Sequence, residues 1–247
     1  MVIGVPTVEI TPTPDILTIL REGHLTLDGL FREGSNYTFL VQALHENVRL
    51  PAVYKPTRGE QPLWDFPPGT LARREVAAFI ASELLGWHLV PPTVHRDGPY
   101  GPGSLQYYVT ARPEDHYFNF NPDKKAASKH VVVFDYLANN ADRKGSHIVC
   151  DASGDIRLFD HGICFHTEYK LRTVIWDFAG EAIPDNILTD VRAFRSRLDS
   201  DSKLVITLRQ LLASEEWIAL TCRADELLSD GRFPEPGSGP NYPWPPI

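Results

Sequence analysis

With 247 residues, 43% of them hydrophobic and 23% charged, the chain is long enough to bury a core as one large domain or as two lobes. A net charge of −8 without any block of consecutive Lys or Arg argues against nucleic acid or a membrane surface as the main partner. No apolar run approaches the roughly 20 residues that span a bilayer, the first residues lack a signal-peptide pattern, and the three cysteines are widely spaced. We therefore expect a globular protein of the cytoplasm with free thiols.

The first 110 residues are predicted to form a β-rich lobe with one long helix. After a Pro- and Thr-rich start and a short helix near 15–21, strands are predicted at 25–31, at 37–41, up to Lys55, at 90–94 and at 105–109. A Gly- and Pro-rich turn at 98–103 separates the last two strands. The long helix is predicted over 71–85, with Thr70 as its N-cap and Gly86 closing it.

The turn at residues 32–36 is compact and contains the small or polar residues Gly34, Ser35 and Asn36. Backbone N–H groups of such a turn can bind a phosphate. An ordinary hairpin tip has the same composition, so the turn alone does not establish a phosphate site.

Lys55 and Glu75 are two charged residues near the ends of predicted elements. Lys55 ends a predicted strand, and Glu75 lies in the first turns of the helix at 71–85, beside its apolar face. A glutamate near a helix start is common for dipole reasons alone, and a lysine at a strand end is typical of a solvated sheet edge. The importance of the two residues therefore depends on the rest of the chain.

The second half of the chain is predicted to be mainly helical. An irregular linker at 110–123 is followed by a largely apolar, hence buried, helix at 124–139. Three more helices are predicted at about 184–198, 201–213 and 215–229. The chain is accordingly divided into an N-terminal lobe (1–110), a C-terminal lobe (111–233) and a Pro-rich tail (234–247), which we expect to be extended on the surface.

A β-hairpin is predicted between the buried helix and the three later helices. Apolar runs at 147–150 and 156–159 flank residues 151–155, whose composition is that of a turn. If the hairpin is symmetric about the middle of the turn, His147 lies opposite Asp160, with their Cβ atoms about 5 Å apart.

Charged residues converge at the open end of this hairpin. Asp142 lies five residues before His147, on a polar loop with Arg143 and Lys144. Carboxylates and an imidazole beside two cations predict a site for a divalent metal and a phosphate. The alternative is an ordinary hairpin with charged ends.

The order of these elements and two short motifs resemble the phosphatidylinositol 3- and 4-kinase-like group, within the wider protein-kinase-like fold. The first motif is Asp142-Arg-Lys-Gly-Ser-His147, and the second is Asp160-His-Gly162. The group has Asp-Arg-His-x-x-Asn and Asp-Phe-Gly at these places, so Lys144, His147 and His161 depart from its pattern. The resemblance covers about residues 25–215 and implies an α+β, two-lobed fold, with a β-rich lobe carrying one helix and a mainly helical lobe.

The resemblance also implies roles for individual residues. Lys55 would contact the nucleotide phosphates and pair with Glu75, while Asp142 would accept the proton of the acceptor hydroxyl. Lys144 would neutralise the transferring phosphoryl group, and Arg143 would support the loop. The expected metal ligands are Asp160 and His147, and the adenine is expected near Val109 and Ala111.

The implied activity is an ATP-dependent phosphotransferase, an atypical kinase that uses ATP with Mg²⁺ or Mn²⁺. The expected acceptor is a protein Ser or Thr or a small hydroxylated molecule, because the acidic composition argues against a lipid surface. Two alternatives remain open. The chain could be a nucleotide-binding pseudokinase that regulates a partner protein, or it could transfer AMP instead of phosphate.

Overall fold

The computed structural model describes residues 14–31, 36–112 and 114–247. The first lobe begins with a helix and contains a five-stranded antiparallel sheet in the order β1-β2-β3-β5-β4. Its elements are α1 (Pro14–Glu22), β1 (His24–Phe31), β2 (Thr38–His45), β3 (Val48–Pro56), α2 (Leu71–Leu85), β4 (Thr93–Gly98) and β5 (Gly101–Tyr107). The predicted β-rich lobe with one long helix is therefore confirmed.

Helix α2 has the predicted bounds and the predicted end, but a different N-terminal cap. Gly86 adopts a φ of 79°, the left-handed conformation that favours glycine at a helix end. Thr70 makes no cap, because its hydroxyl donates to the Pro67 carbonyl oxygen (2.7 Å). The carboxylate of Glu60 accepts from the backbone N–H of Ala72 instead (2.9 Å).

Strand β4 begins and ends later in the sequence than predicted, and β5 begins and ends earlier. Pro91 and Pro92 have no N–H to donate to a ladder, and pairing starts at Thr93. The expected turn at 98–103 is largely strand, because Gly98 and Gly101 pair with each other and the chain reverses over the two residues between them. Gly103 fits there because a Cβ at this position would collide with the backbone of β3.

The second lobe is helical apart from a two-stranded hairpin. Its elements are α3 (Pro122–Ala127), α4 (Lys129–Ala138), β6 (Ile148–Cys150), β7 (Ile156–Leu158), α5 (Asp185–Leu198), α6 (Lys203–Leu211) and α7 (Ser214–Asp230). The three later helices and the hairpin are confirmed. The single helix expected at 124–139 is instead two helices, which meet at Ser128, where the side-chain hydroxyl donates to the Lys124 carbonyl oxygen (3.0 Å).

Helix α2 connects the two lobes. Its apolar side chains, among them Phe79 and Leu84, belong to the large core cluster that also contains α4, α5, α7 and the β6–β7 hairpin. A smaller cluster lies between α1 and the sheet. Arg74 of α2 is buried and pairs with Glu216 of α7 at 2.5 Å. Because α2 is packed on both lobes, its polar residues have fixed positions in the cleft between them.

Several simpler expectations can be compared directly with the structure. Cys150, Cys164 and Cys222 are free thiols, as predicted. No helix within the described ranges is long and apolar enough to cross a membrane. Residues 234–247 have neither helix nor strand, yet their backbone is hydrogen-bonded to the second lobe at Thr173 and Gly145. The lobe boundaries given above remain predictions.

Candidate active site

The β6–β7 hairpin has a register one residue away from the predicted one. Ile148 pairs with Leu158, and the backbone N–H of Phe159 donates to the His147 carbonyl oxygen (3.0 Å), so His147 lies opposite Phe159 and not opposite Asp160. The reason is a loop of three residues, closed by the Asp151–Asp155 backbone bond and containing Gly154 at a φ of 85°. The predicted register is therefore wrong.

Asp160 reaches His147 in spite of this shift. Asp160 has a φ of 59°, which turns the chain at the end of the hairpin, and His147 ends a short 3₁₀ turn (Gly145–His147). The Asp160 Oδ2 atom lies 3.6 Å from His147 Nε2. The two expected metal ligands are thus neighbours through a backbone turn and not through strand pairing.

Lys55 joins the two lobes at this point. Its ammonium group is hydrogen-bonded to the carboxylate of Glu75 and lies 2.9 Å from Asp160 Oδ1. Burial alone would lower the pKa of Lys55, but the charges of Asp160 and Glu75 outweigh it and raise this pKa. The charge of Lys55, opposed by burial, in turn lowers the pKa of Asp160. Both groups are therefore charged at neutral pH.

Glu75 is also bonded to the chain that follows the hairpin. It is almost fully buried in α2, and its Oε2 atom accepts from the backbone N–H of His161 (3.0 Å). The pairing of Lys55 with Glu75, which the resemblance implied, is present in the structure. A strand, a helix and the turn after the hairpin therefore meet at one cluster of charges.

Asp142 and Lys144 lie on the loop between α4 and the hairpin, residues 142–147. Their charged atoms are 3.4 Å apart, and both side chains are partly exposed. Burial raises the pKa of Asp142 to about 6, although Lys144 opposes this shift, and the charge of Asp160 adds to it. A carboxylate with such a pKa can accept and release a proton near neutral pH.

Arg143 faces the interior of the second lobe. Its side chain is fully buried and forms bidentate hydrogen bonds with Asp135 of α4 (2.9 Å). It also donates to the Phe159 carbonyl oxygen (2.8 Å) and to His161 Nε2 (2.7 Å). Arg143 thus joins α4, loop 142–147 and the end of the hairpin. Asp135 was missed in the sequence, although a carboxylate inside an otherwise apolar helix signals a buried partner.

A cleft of about 790 Å³ opens between the lobes beside these residues. It is lined by Lys55, His147, Asp160, Val109 and Ala111, to which the resemblance assigns the nucleotide and the metal. These roles stay predictions. Further residues in its lining were not anticipated from the sequence: Leu30, Val53, Gln106, His116, Val149 and Phe159. Most are apolar and come from the sheet and the hairpin, and only the three-dimensional pairing of these strands brings them together.

The expected phosphate-binding turn is described only in part. Gly34 and Ser35 lie outside the described residues, so their predicted role stays a prediction. The Asn36 side chain accepts a hydrogen bond from the backbone N–H of Gln61 (2.6 Å). Asn36 also lines a small cavity together with Lys55, Glu75 and Asp160.

His147 and Asp160 fit a divalent metal as a two-residue site. Within the described part of the chain, no group of three or more His, Cys, Asp or Glu side chains is placed to hold a metal. Burial lowers the pKa of His147 to about 4, so its ring is neutral, and its Nδ1 atom is buried without a hydrogen-bond partner. A neutral imidazole and an ionised carboxylate are suitable ligands, and phosphate oxygens complete such sites in nucleotide-binding enzymes.

Comparisons with solved structures show the fold. The chain is similar to the structure of Fam20 from hydra with sugar, with a TM-score of 0.52, 15% sequence identity and coverage of 87% of this chain and 86% of the other. It is also similar to the Helicobacter pylori proinflammatory kinase CtkA, with a TM-score of 0.54, 12% identity and coverage of 85% and 93%. The two-lobed α+β architecture is therefore the kinase-like fold.

Sequence comparison identifies a relative that matches almost the whole chain. No protein-family profile matches the chain. Protein Rv2133c of Mycobacterium tuberculosis is 39% identical over an alignment of 262 positions, which spans 92% of this chain and 94% of the relative. The chain therefore belongs to the same protein family as Rv2133c of Mycobacterium tuberculosis.

Proposed function

We propose that this protein is an ATP-dependent phosphotransferase. The observation that carries the proposal is the ion-paired set of Lys55, Glu75 and Asp160 at the edge of the 790 Å³ cleft. Such a set serves to orient nucleotide phosphates and a metal, and phosphoryl transfer requires mainly positioning and compensation of charge. We assign this set to the nucleotide phosphates and the metal, because a lysine paired with a helix glutamate, beside a metal-binding aspartate, serves this purpose in kinases.

Within this proposal, each charged residue has one task. Asp142 accepts the proton of the acceptor hydroxyl while the oxygen of that hydroxyl attacks the γ-phosphorus. The bond between the γ-phosphorus and the bridging oxygen breaks, and ADP leaves with the negative charge. Lys144 lies beside Asp142 and offsets charge on the transferring group. Arg143 positions the loop from the interior and does not contact substrate.

The same geometry supports a proposal for the nucleotide and metal sites. Val109 and Ala111 line the part of the cleft where we place the adenine, and Lys55 is assigned to the phosphates. Asp160 and His147 would hold Mg²⁺ or Mn²⁺. When bound, such an ion neutralises charge on the phosphates.

We further propose that the acceptor is a hydroxyl of a protein Ser or Thr or of a small molecule. The motif that starts at Asp142 supports a relationship to phosphatidylinositol 3- and 4-kinase-like enzymes, whose name-giving acceptors are lipids. A net charge of −8 would repel an anionic membrane surface, which favours an acceptor in solution.

Mass spectrometry of the protein after incubation with ATP and each metal tests the proposal. Addition of a phosphate to the protein, or formation of ADP when candidate acceptors are supplied, is the expected result. Addition of AMP would show an adenylyl transferase instead. Nucleotide binding with neither product, in the presence of Ser/Thr-containing protein acceptors, would point to a pseudokinase and contradict the proposal.

A further inference from the structure

Residues 234–247, which form the tail defined above, contact loop 142–147 directly. The backbone N–H of Gly145 donates to the carbonyl oxygen of Pro246 at 2.8 Å. Gly145 directly follows Lys144 and begins the turn that ends at His147. The tail has no secondary structure of its own, so its position depends on side-chain packing and on contacts of this kind.

A second set of contacts fixes the tail five residues earlier, at Asn241. The Asn241 carbonyl oxygen accepts from the backbone N–H of Thr173 and from the indole N–H of Trp176, both at 3.1 Å. The Asn241 side chain also exchanges two hydrogen bonds with the backbone of Gly237 (2.7 and 2.9 Å). Both the carbonyl oxygen and the side chain of Asn241 are therefore hydrogen-bonded.

The segment that anchors Asn241 also anchors the loop. The Arg143 backbone N–H donates to the Arg172 carbonyl oxygen (2.9 Å), and the Val174 N–H donates to the Arg143 carbonyl oxygen (3.2 Å). Lys144 thus lies between two fixed residues. Arg143 is bonded to Arg172 and Val174, and Gly145 is bonded to the tail. On the other side, the ring of Phe118 occupies the space that a side chain at Gly145 would need.

From these contacts we infer that residues 240–246 position loop 142–147. The bond from the Gly145 N–H to the Pro246 carbonyl oxygen is the contact that fixes Gly145. The inference rests on the proposed function, because the loop carries Asp142, Lys144 and His147. The tail is a positioning element and is not assigned any contact with substrate.

Loss of the Pro246 contact is expected to affect turnover more than nucleotide binding. A displacement of about 1 Å in a catalytic group can reduce the rate on the order of 100-fold. Lys55 and Glu75, by contrast, lie on β3 and α2, which make none of the tail contacts described above. We therefore expect kcat to fall about tenfold or more, with a smaller effect on the shift in melting temperature on addition of ATP, because only His147 of the proposed nucleotide and metal residues lies on the loop.

The test compares two shortened chains that differ by one residue. A chain that ends at Pro246 still presents an oxygen to Gly145, whereas a chain that ends at Pro245 does not. Two quantities are measured for both and for the full chain: the rate of ADP formation from ATP, with water in place of the acceptor, and hydrogen exchange at the Gly145 amide. Melting curves with and without ATP establish that both chains are folded.

The expected result is faster exchange at Gly145 and slower ADP formation only in the chain that ends at Pro245. Equal exchange in both shortened chains would overturn the inference, as would faster exchange without a change in rate. If the full chain forms no ADP, that result counts against the proposed function, and the exchange comparison still decides whether the tail fixes the loop.

Discussion

The two aspartates of the site have opposite electrostatic surroundings. Asp160 lies against Lys55, whose charge lowers its pKa, so it remains ionised at any working pH. Asp142 lies on a partly buried loop, where loss of solvent raises its pKa to about 6 in spite of Lys144. An ionised carboxylate suits a metal ligand, and a carboxylate that titrates near neutral pH suits a proton acceptor.

These differences predict different failures for the two aspartates. Asp142→Asn should keep ATP binding and reduce kcat by roughly 10²–10⁴-fold, the usual contribution of a positioned proton acceptor. Asp160→Asn should weaken binding of the metal and nucleotide itself. Calorimetric titration with ATP, together with the rate of phosphoryl transfer, distinguishes them, and equal loss of ATP binding in both variants would show that the roles are misassigned.

The raised pKa of Asp142 also predicts the pH dependence of turnover. Only the deprotonated carboxylate accepts a proton, so activity is present above the pKa and is lost as the pH falls through about 6. The measurement is kcat against pH at saturating ATP and metal. The residual activity of Asp142→Asn should lack this inflection; an identical profile in the variant would assign the inflection to another group.

His147 predicts an unusual preference for metals. An imidazole nitrogen suits Mn²⁺ better than Mg²⁺, whereas the amide oxygen of an asparagine suits Mg²⁺. The wild type should therefore bind ATP more tightly with Mn²⁺, and His147→Asn should shift the preference toward Mg²⁺. Titrations of ATP binding with each metal provide the comparison. The same ranking of metals in both proteins would mean that His147 is not a ligand.

At the scale of the element, α2 is the part of the fold on which the site depends most. It supplies Glu75 to the cleft, and its apolar residues belong to the core of the second lobe. Arg74, next to Glu75, is buried and bonded to Glu216 of α7 and to the Cys164 carbonyl oxygen. Because these contacts fix the rotation of α2, they also fix the direction of Glu75 toward Lys55.

This arrangement predicts a large loss of stability when the buried pair is broken. Glu216→Gln should reduce the free energy of unfolding by about 3 kcal/mol or more, because it leaves the Arg74 charge buried without a counter-ion. Glu215→Gln, at an exposed position of the same helix turn, should change it by less than about 0.5 kcal/mol. Urea unfolding of both variants is the measurement, and similar losses in the two would contradict the role given to the pair.

The elements also show which local signals could be predicted from the sequence. The bounds of α2 were predicted correctly because the polar, Pro-rich stretch before it and Gly86 act locally on the backbone. The hairpin was predicted, but its register depends on whether the loop contains an even or an odd number of residues, which the composition of residues 151–155 does not decide. The break at Ser128 was missed, since serine is compatible with both a helix interior and a helix end.

At the scale of the whole molecule, the two-lobed order was predicted, and the resemblance implied the pairing of Lys55 with Glu75. The fold is confirmed, and the pairing is present in the structure, where Lys55 also contacts Asp160. The Asp135–Arg143 pair was not predicted, although Asp135 stands out as a carboxylate in an otherwise apolar helix. The contact of Pro246 with Gly145 was not predicted because it joins segments far apart in the sequence and has no local pattern. The roles of the site residues remain proposals that the variants above can test.

The most direct test of the central claim is the melting temperature of the protein with ATP and a divalent metal. A ligand that binds only the folded state stabilises it, by about 2.7 kcal/mol when its concentration is 100 times its Kd. We predict a clear rise in melting temperature with ATP and Mn²⁺ or Mg²⁺, and a smaller rise for Lys55→Ala, which lacks the ammonium group assigned to the phosphates. No rise for the wild type with either metal, up to millimolar ATP, would contradict the account.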